Sequence, residues 1–432
     1  MEEFLSMDYH INLWLLFFVA IISFILGYFA IFSLKDKIKK ICISLIYFSL
    51  FFYSGIGISI LKDYHLYLLY YIIYLIVFTF FIRKFSHINI PNLFSTQQLN
   101  SFITKYGSFF IILYITLSFI NLIHPENKLS NLISPPVLDR SIIDDLGTGS
   151  TKRTAIQALI LFITNVIQPF YYISLYKYRE KILKLFIFIF LPIYFQLCAF
   201  SYVSRTQLIV SFLIYLTIIY YFNPTKRKLL ISISVSSIII LLPFIAVFSQ
   251  IRNGEGYDNI EKLNFTDSLD LLFRIECSFP LWFNDIYHNH ITHTIDYLLY
   301  ILFQPIPGFI KQPIIGNFQV NYAIAELLLG VEMEEDTFFI PLSGNICESI
   351  FIFGKYFFFI HAIICAYILN IAINFFNKMQ PLKILAIAFI FSSCLLFGRI
   401  GTTGGSFYPF IIKAVIYINL AIILLSPSKQ KN

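Results

Sequence analysis

The sequence predicts an all-α fold, a polytopic bundle of about eleven transmembrane helices with one long non-cytoplasmic loop containing short helices. Three observations carry this expectation. Of 432 residues, 58% are hydrophobic and 13% charged, more apolar surface than a soluble domain can hide. The apolar residues fall in runs of about 20, the length at which a helix crosses the hydrocarbon core with its backbone bonded internally. The basic clusters between runs all fall on one side of the resulting topology.

The runs lie near 12–34, 41–61, 66–82, 107–124, 154–176, 185–203, 206–222, 229–249, 356–376, 384–398 and 407–425. The first follows Glu2 and Glu3 instead of a basic segment and is too long for a cleavable signal, so it reads as a span. The fifth carries Gln157, Asn165, Gln168 and Pro169, which suit a protein-facing or cavity-facing helix. Many Tyr sit near the ends of runs, where interfacial belts place them.

Orientation follows from the connections. Lys35 to Lys40 supply four lysines, Arg83-Lys84 opens the third connection, and Lys177, Arg179, Lys181 and Lys184 lie in the fifth. Lys226-Arg227-Lys228, then Lys378 and Lys383, then Lys429 and Lys431 follow on the same side. The positive-inside rule puts the N-terminus outside and the C-terminus in the cytoplasm. Asp36 and Glu180 are then the cytoplasmic acids. The net charge of +7 sits in these clusters, which argues against a nucleic-acid partner.

Three regions follow: 1–249 with spans one to eight, the loop 250–345, and 346–432 with the last three spans. A second outer connection covers 125–153. The long loop opens with an acidic, polar segment (250–270), and its middle (279–293) is aromatic and His-rich. An apolar stretch with prolines follows (297–315), and its part 297–310, too short and too broken by Pro305 and Pro307 to span, is expected in the membrane interface. A short helix is expected over 318–330, and Glu332 to Asp336 reads as a solvated acidic surface. Of six cysteines, Cys277 and Cys347 fall outside the spans, which makes a disulfide between them a candidate. No cysteine spacing resembles a zinc site.

Arginines at the outer face run against the positive-inside trend. Arg205 follows the sixth span, Arg252 the eighth, and Arg274 and Arg399 stand at the same level. Converging guanidinium forks suit diphosphate oxygens; the alternative is that each pairs with an acid or snorkels to headgroups. Glu348, just before an apolar run, is a candidate proton acceptor or sugar ligand. It equally suits a solvated helix N-terminus or an ion pair with Lys355. Glu276 is a second candidate acid, with Arg274 beside it. His288, His290 and His293 lack diagnostic metal spacing and read as a wet aromatic loop. Trp282, Phe283, Tyr287 and Tyr297 are candidate stacking faces for sugars. Gly401, Gly404 and Gly405 suit a tight re-entry turn. The absence of a nucleotide-type Gly loop, an Asp-x-Asp pair and a nucleophile elbow disfavours a nucleotide-sugar enzyme.

This layout resembles the bacterial oligosaccharide repeat-unit polymerases of the Wzy type, which build O-antigen and capsule. Ser204-Arg205-Thr206 stands directly before a span. Gln304-Pro305-Ile306-Pro307-Gly308 and Lys311-Gln312-Pro313 are similar to the family's Ile-Pro and Lys-Pro region, although Gln312 interrupts the latter. Pro341-Leu342-Ser343-Gly344, Glu348 and Phe353-Gly354 resemble its Ser, Glu and Phe-Gly pattern. The layout covers most of the chain, the motifs a small part.

The resemblance implies a membrane glycosyltransferase at the outer face of the bacterial inner membrane. A glycan on undecaprenyl diphosphate would be transferred to the non-reducing end of a new lipid-linked unit, without nucleotide, metal or other cofactor. Arg205, Arg252, Arg274 and Arg399 would bind the diphosphate and Glu348 or Glu276 would be catalytic. Trp282, Tyr287, His288 and Lys311 would meet the substrate. Membrane lipid and a chain-length regulator protein are the further partners expected. A lipid-linked glycan flippase or other transporter, a membrane acyltransferase and an O-antigen ligase are the competing readings.

Overall fold

The computed structural model describes residues 11–120 apart from 33, 62 and 89–92, then 155–198, 216–223, 279–303 apart from 290, 320–330, 344–400 and 407–425, with a few isolated positions between them. All regular structure among these residues is helical. Among the described residues six helical segments are long and apolar enough to cross a membrane: Leu13–Phe32 (α1), Lys37–Ile58 (α2), His65–His87 (α3), Thr96–Ile120 (α4), Phe359–Asn377 and Gln380–Arg399. Such helices are those of a membrane protein. Ala155–Leu175 (α5), Ile182–Cys198 (α6) and Phe407–Leu425 are helical over three more of the expected runs. The connection 125–153, the run 229–249 apart from residue 232, and most of 206–222 lie outside the described residues.

Helix starts differ from the hydropathy limits for local reasons. α2 begins four residues early because Asp36 caps it, its carboxylate accepting from the Ile38 and Lys39 amides at 2.8 and 3.2 Å. The basic cluster 37–40 is thus the first helical turn. α4 begins at Thr96, eleven residues before the apolar run. Ser95 Oγ accepts from the Gln98 amide at 3.2 Å and Gln98 Oε1 accepts from the Ser95 amide at 2.8 Å, a reciprocal capping box. Hydropathy ignores such polar first turns.

The chain divides into two units. One holds residues 92–269, 379–388 and 416–432. In it α4 packs on α5 and α6, through a Tyr114–Tyr171 stack at 4.2 Å and the rings of Phe102, Phe110 and Phe170. Lys177 Nζ donates to the Thr104 carbonyl and to Ser108 Oγ.

The other unit holds residues 1–91, 270–378 and 389–415. α1 packs on α2 and α3 through a narrow stripe, Leu15, Val19, Ser23, Gly27 and Ala30. Small residues there allow close approach, and Tyr71 Oη donates to Ser23 Oγ at 2.8 Å. The rest of α1 is exposed or half-buried, with Trp14, Phe17 and Phe24 among its exposed residues, as a lipid-facing helix requires.

Within residues 250–345 the described residues of this unit include three short helices, Phe283–His288 (α7), Thr294–Leu302 (α8) and Val320–Leu329 (α9), and Gly344–Phe357 (α10) follows. α9 is the short helix expected over 318–330. α8 is amphipathic, with Tyr297 and Tyr300 buried and Ile295, Leu298 and Leu302 exposed. Cys277 and Cys347 are both free thiols, so the candidate disulfide is absent; Cys277 Sγ donates to the Phe52 carbonyl at 3.2 Å. That segment seats on α2 only because residue 57 is glycine. A Cβ there would stand 2.2 Å from the Cys277 carbonyl oxygen and 2.6 Å from the Pro280 ring.

Candidate functional site

α10 is the centre of this unit. It is touched by α3, α7, α8, α9, by Phe359–Asn377 (α11), by the π-helical turn Phe51–Gly55 of α2 and by the last turn of Gln380–Arg399 (α12). Every residue from Gly344 to Phe353 is buried. The helix opens at Gly344 (φ 70°) and is broken at Gly354 (φ 75°, ψ 168°), a backbone that only glycine adopts without strain. Between these breaks the sequence places Asn345 and Glu348, three residues apart and so on one helical face.

Glu348 is 3% exposed. A buried carboxylate without a partner costs several kcal/mol. Its Oε1 stands 3.5 Å from Nε2 of His361, which is fully buried on α11. The other ring nitrogen, Nδ1, is 3.1 Å from the hydroxyl of Tyr74 on α3. That oxygen in turn accepts from Asn345 Nδ2 at 3.0 Å. Four side chains from three helices therefore stand in one line, Asn345–Tyr74–His361–Glu348, hydrogen-bonded as far as His361 and completed by the 3.5 Å approach of Nε2 to Oε1. Cys365, one turn beyond His361, lies 3.8 Å from the imidazole, and the Tyr297 ring lies 5.8 Å away. Asn345 Oδ1 is buried without a hydrogen-bond partner, an exposed liability unless something donates to it. The arrangement can hold, accept or pass a proton in an apolar interior.

The expected alternatives for Glu348 are corrected by this burial. It is not a solvated N-terminal acid, and the group that faces it is the His361 imidazole. Lys355 instead places its ammonium over the Tyr287 ring at 5.2 Å.

Arg399 ends α12 on the turn that packs against α10 and α2. Gly398 makes this docking possible: its amide donates to Ser49 Oγ at 2.7 Å, and a Cβ would lie 2.4 Å from the Ser49 carbonyl oxygen. Arg399 and Glu348 thus stand on elements in mutual contact. Arg205, Arg252, Arg274, Glu276, His290 and Lys311 lie outside the described residues.

Among the aromatic candidates, Phe283 and Tyr297 are buried in the core and offer no face to a sugar. Trp282 and Tyr287 are half-buried and His288 is exposed. Tyr287 stacks on Phe283 at 5.5 Å and meets Tyr70 edge-on. His288 Nδ1 donates to the Asn284 carbonyl at 2.8 Å. His293 is held between Phe351 and Phe318 with its Nδ1 3.2 Å from Asp296. Among the described residues no cluster of three metal-ligating side chains occurs.

The sequence reading missed His361, Tyr74 and Asn345. A signal for His361 exists: it is an ionisable residue inside an apolar run, which is expensive and therefore informative. Tyr74 carries no such signal, being one of 29 tyrosines.

Fold and site define a helical membrane protein with a buried acid–imidazole site. Compared with protein-family models, curated proteins and solved structures, the chain matches none.

Proposed function

We propose that the chain polymerises undecaprenyl-diphosphate-linked oligosaccharide repeat units into O-antigen or capsule at the outer face of a bacterial inner membrane. The chain would cross about eleven times, N-terminus outside and C-terminus in the cytoplasm, with the loop 250–345 outside. The observation that carries the reading is Glu348. It stands on the helix that follows that loop, buried against His361, and α10 touches the turn bearing Arg399.

In the reaction, the acceptor sugar hydroxyl attacks the anomeric carbon of the growing glycan. The new C–O bond forms as the bond to the diphosphate breaks, and the diphosphate leaves with the electron pair. The hydroxyl proton goes to the Glu348 carboxylate, with Glu276 as the second candidate. Arg205, Arg252, Arg274 and Arg399 would stabilise the charge growing on the diphosphate. Trp282, Tyr287, His288 and Lys311 would contact the glycan.

Deletion in the native host tests this reading. Surface glycan carrying a single repeat unit instead of a ladder is expected; loss of all surface glycan contradicts it. Cysteine labelling tests the topology. Positions 260 and 330 should react from outside, and 38, 180 and 227 from the cytoplasm.

A second reading rests on the same pair. A carboxylate and an imidazole buried among membrane-length helices also suit proton coupling in a flippase or transporter. That reading predicts glycan-dependent proton flux in sealed vesicles, which the polymerase reading does not.

A further inference from the structure

We infer that His361 is the positioning residue for Glu348, and that Tyr74 and Asn345 lock His361 in a single tautomer and orientation. The inference rests on the reading of Glu348 as proton acceptor.

The argument is an accounting of hydrogens. A neutral imidazole carries one N–H, and the partner of each ring nitrogen decides which one carries it. Asn345 Nδ2 can only donate, so the Tyr74 oxygen is its acceptor. The Tyr74 hydroxyl hydrogen is then available to Nδ1 of His361, 3.1 Å away. Nδ1 becomes the acceptor, and the ring's single N–H falls on Nε2. That nitrogen is the one 3.5 Å from Glu348 Oε1. Every bond in the path runs the same way, from Asn345 amide to carboxylate. The opposite tautomer would set a lone pair against the carboxylate and take away the acceptor of the Tyr74 hydroxyl hydrogen.

Geometry supports the same assignment. The ring is fully buried and is met by Tyr297 at 5.8 Å and Phe353 at 6.4 Å. Glu348 has three rotatable side-chain bonds and, as a carboxyl group buried in an apolar core, needs a hydrogen-bond partner. A fixed Nε2–H draws Oε1 to one place, which fixes where Oε2 stands when the sugar hydroxyl arrives. Misplacing a base by about 1 Å costs on the order of 100-fold in rate.

A core-packing role makes different predictions. His361→Phe keeps the ring and removes both nitrogens. His361→Gln keeps an N–H within reach of Glu348. Tyr74→Phe keeps the ring of the tautomer lock and removes its hydroxyl. The purified protein is assayed with lipid-linked repeat units for kcat and KM separately, in the wild-type and the Glu348→Gln background. We expect kcat to fall about 100-fold in His361→Phe with KM within about twofold. His361→Gln should recover about tenfold of that loss, and Tyr74→Phe should lose about fivefold. In the Glu348→Gln background none of the three should cost anything further, because the base they serve is gone.

An equal additional loss in that background overturns the inference and assigns His361 to packing. So does wild-type kcat in His361→Phe while Glu348→Gln is inactive; the polymerase reading then survives. Near wild-type turnover in Glu348→Gln removes Glu348 as the base and overturns both.

Discussion

α1 and α10 belong to the same unit and share almost nothing else. α1 has no charged residue and buries a stripe one side chain wide, and 28% of its most apolar stretch is covered. α10 is shorter, carries Asn345, Glu348 and Ser349, and is covered on all sides from Gly344 to Phe353. In water the apolar helix would be inside and the polar one outside. Here the surroundings of the bundle are themselves apolar, so hydropathy marks the flank and polarity marks the centre. A polar residue pays for its place in such a centre only with a partner, which is why Glu348 has His361.

The contrast breaks first where the centre is tightest. Gly57 and Gly398 let the backbone of neighbouring elements approach to distances that exclude a Cβ. Gly57→Val must displace the Cys277–Pro280 segment from α2, and with it the support of α7 and α10. A loss of about 4 kcal/mol or more is expected, read as a tenfold or greater fall in detergent-stable, folded protein. If Gly57→Val accumulates and melts like wild type, the centre is not close-packed and the contrast with α1 collapses.

The next effect concerns activity. Glu348→Ala removes the carboxylate and leaves the His361 Nε2–H unanswered. Polymerisation should fall at least about 100-fold, with folded protein reduced far less than in Gly57→Val. Glu348→Gln should lose most activity too, because shape is kept and the proton acceptor is gone. Activity in Glu348→Gln well above that of Glu348→Ala would make Glu348 a sugar ligand instead of a base.

How far the sequence made this visible follows the same division. The membrane-length helices were legible. Runs 12–34, 66–82 and 356–376 correspond to α1, α3 and α11, because helices that cross a membrane must be continuous in apolar residues. The short helix α9 was also legible from its apolar spacing. What escaped were contacts between distant positions. Nothing in the one-dimensional pattern brings Tyr74, Asn345 and His361 together, since the 271 residues separating Tyr74 from Asn345 carry no shared signal. Glu348 was singled out for standing before an apolar run, yet its burial follows from helices packed around α10. Tyr297 and Phe283 were expected as open aromatic faces because aromatic loop residues look alike in sequence whether buried or exposed.

A smaller effect tests the stripe of α1. Tyr71→Phe removes the hydroxyl that donates to Ser23 without changing the ring. The loss expected is about 1 kcal/mol, a shift of a few degrees in the melting temperature. Ser23→Ala should cost a similar amount, and the double variant no more than either alone. Additive losses would mean that the two side chains serve separate contacts.

The smallest effect is expected on the outer face of α1, and it sharpens the comparison most. Phe24 is 76% exposed, so little of its ring rests on its own unit. If that face meets only acyl chains, Phe24→Leu exchanges one apolar contact with lipid for another, and stability should stay within about 0.5 kcal/mol. Activity should be unchanged. Phe24→Asn must cost more, because an amide on a lipid-facing helix has no partner in hydrocarbon. Moved to the narrow stripe as Gly27→Asn, the same amide would also collide with the Tyr47 ring, which lies 3.1 Å from where a Cβ would begin. The three variants should therefore rank in stability as Phe24→Leu, Phe24→Asn, Gly27→Asn. A Phe24→Leu variant that loses activity at normal protein levels would show that the exposed face of α1 binds a partner, and α1 would then belong with α10 among the functional helices.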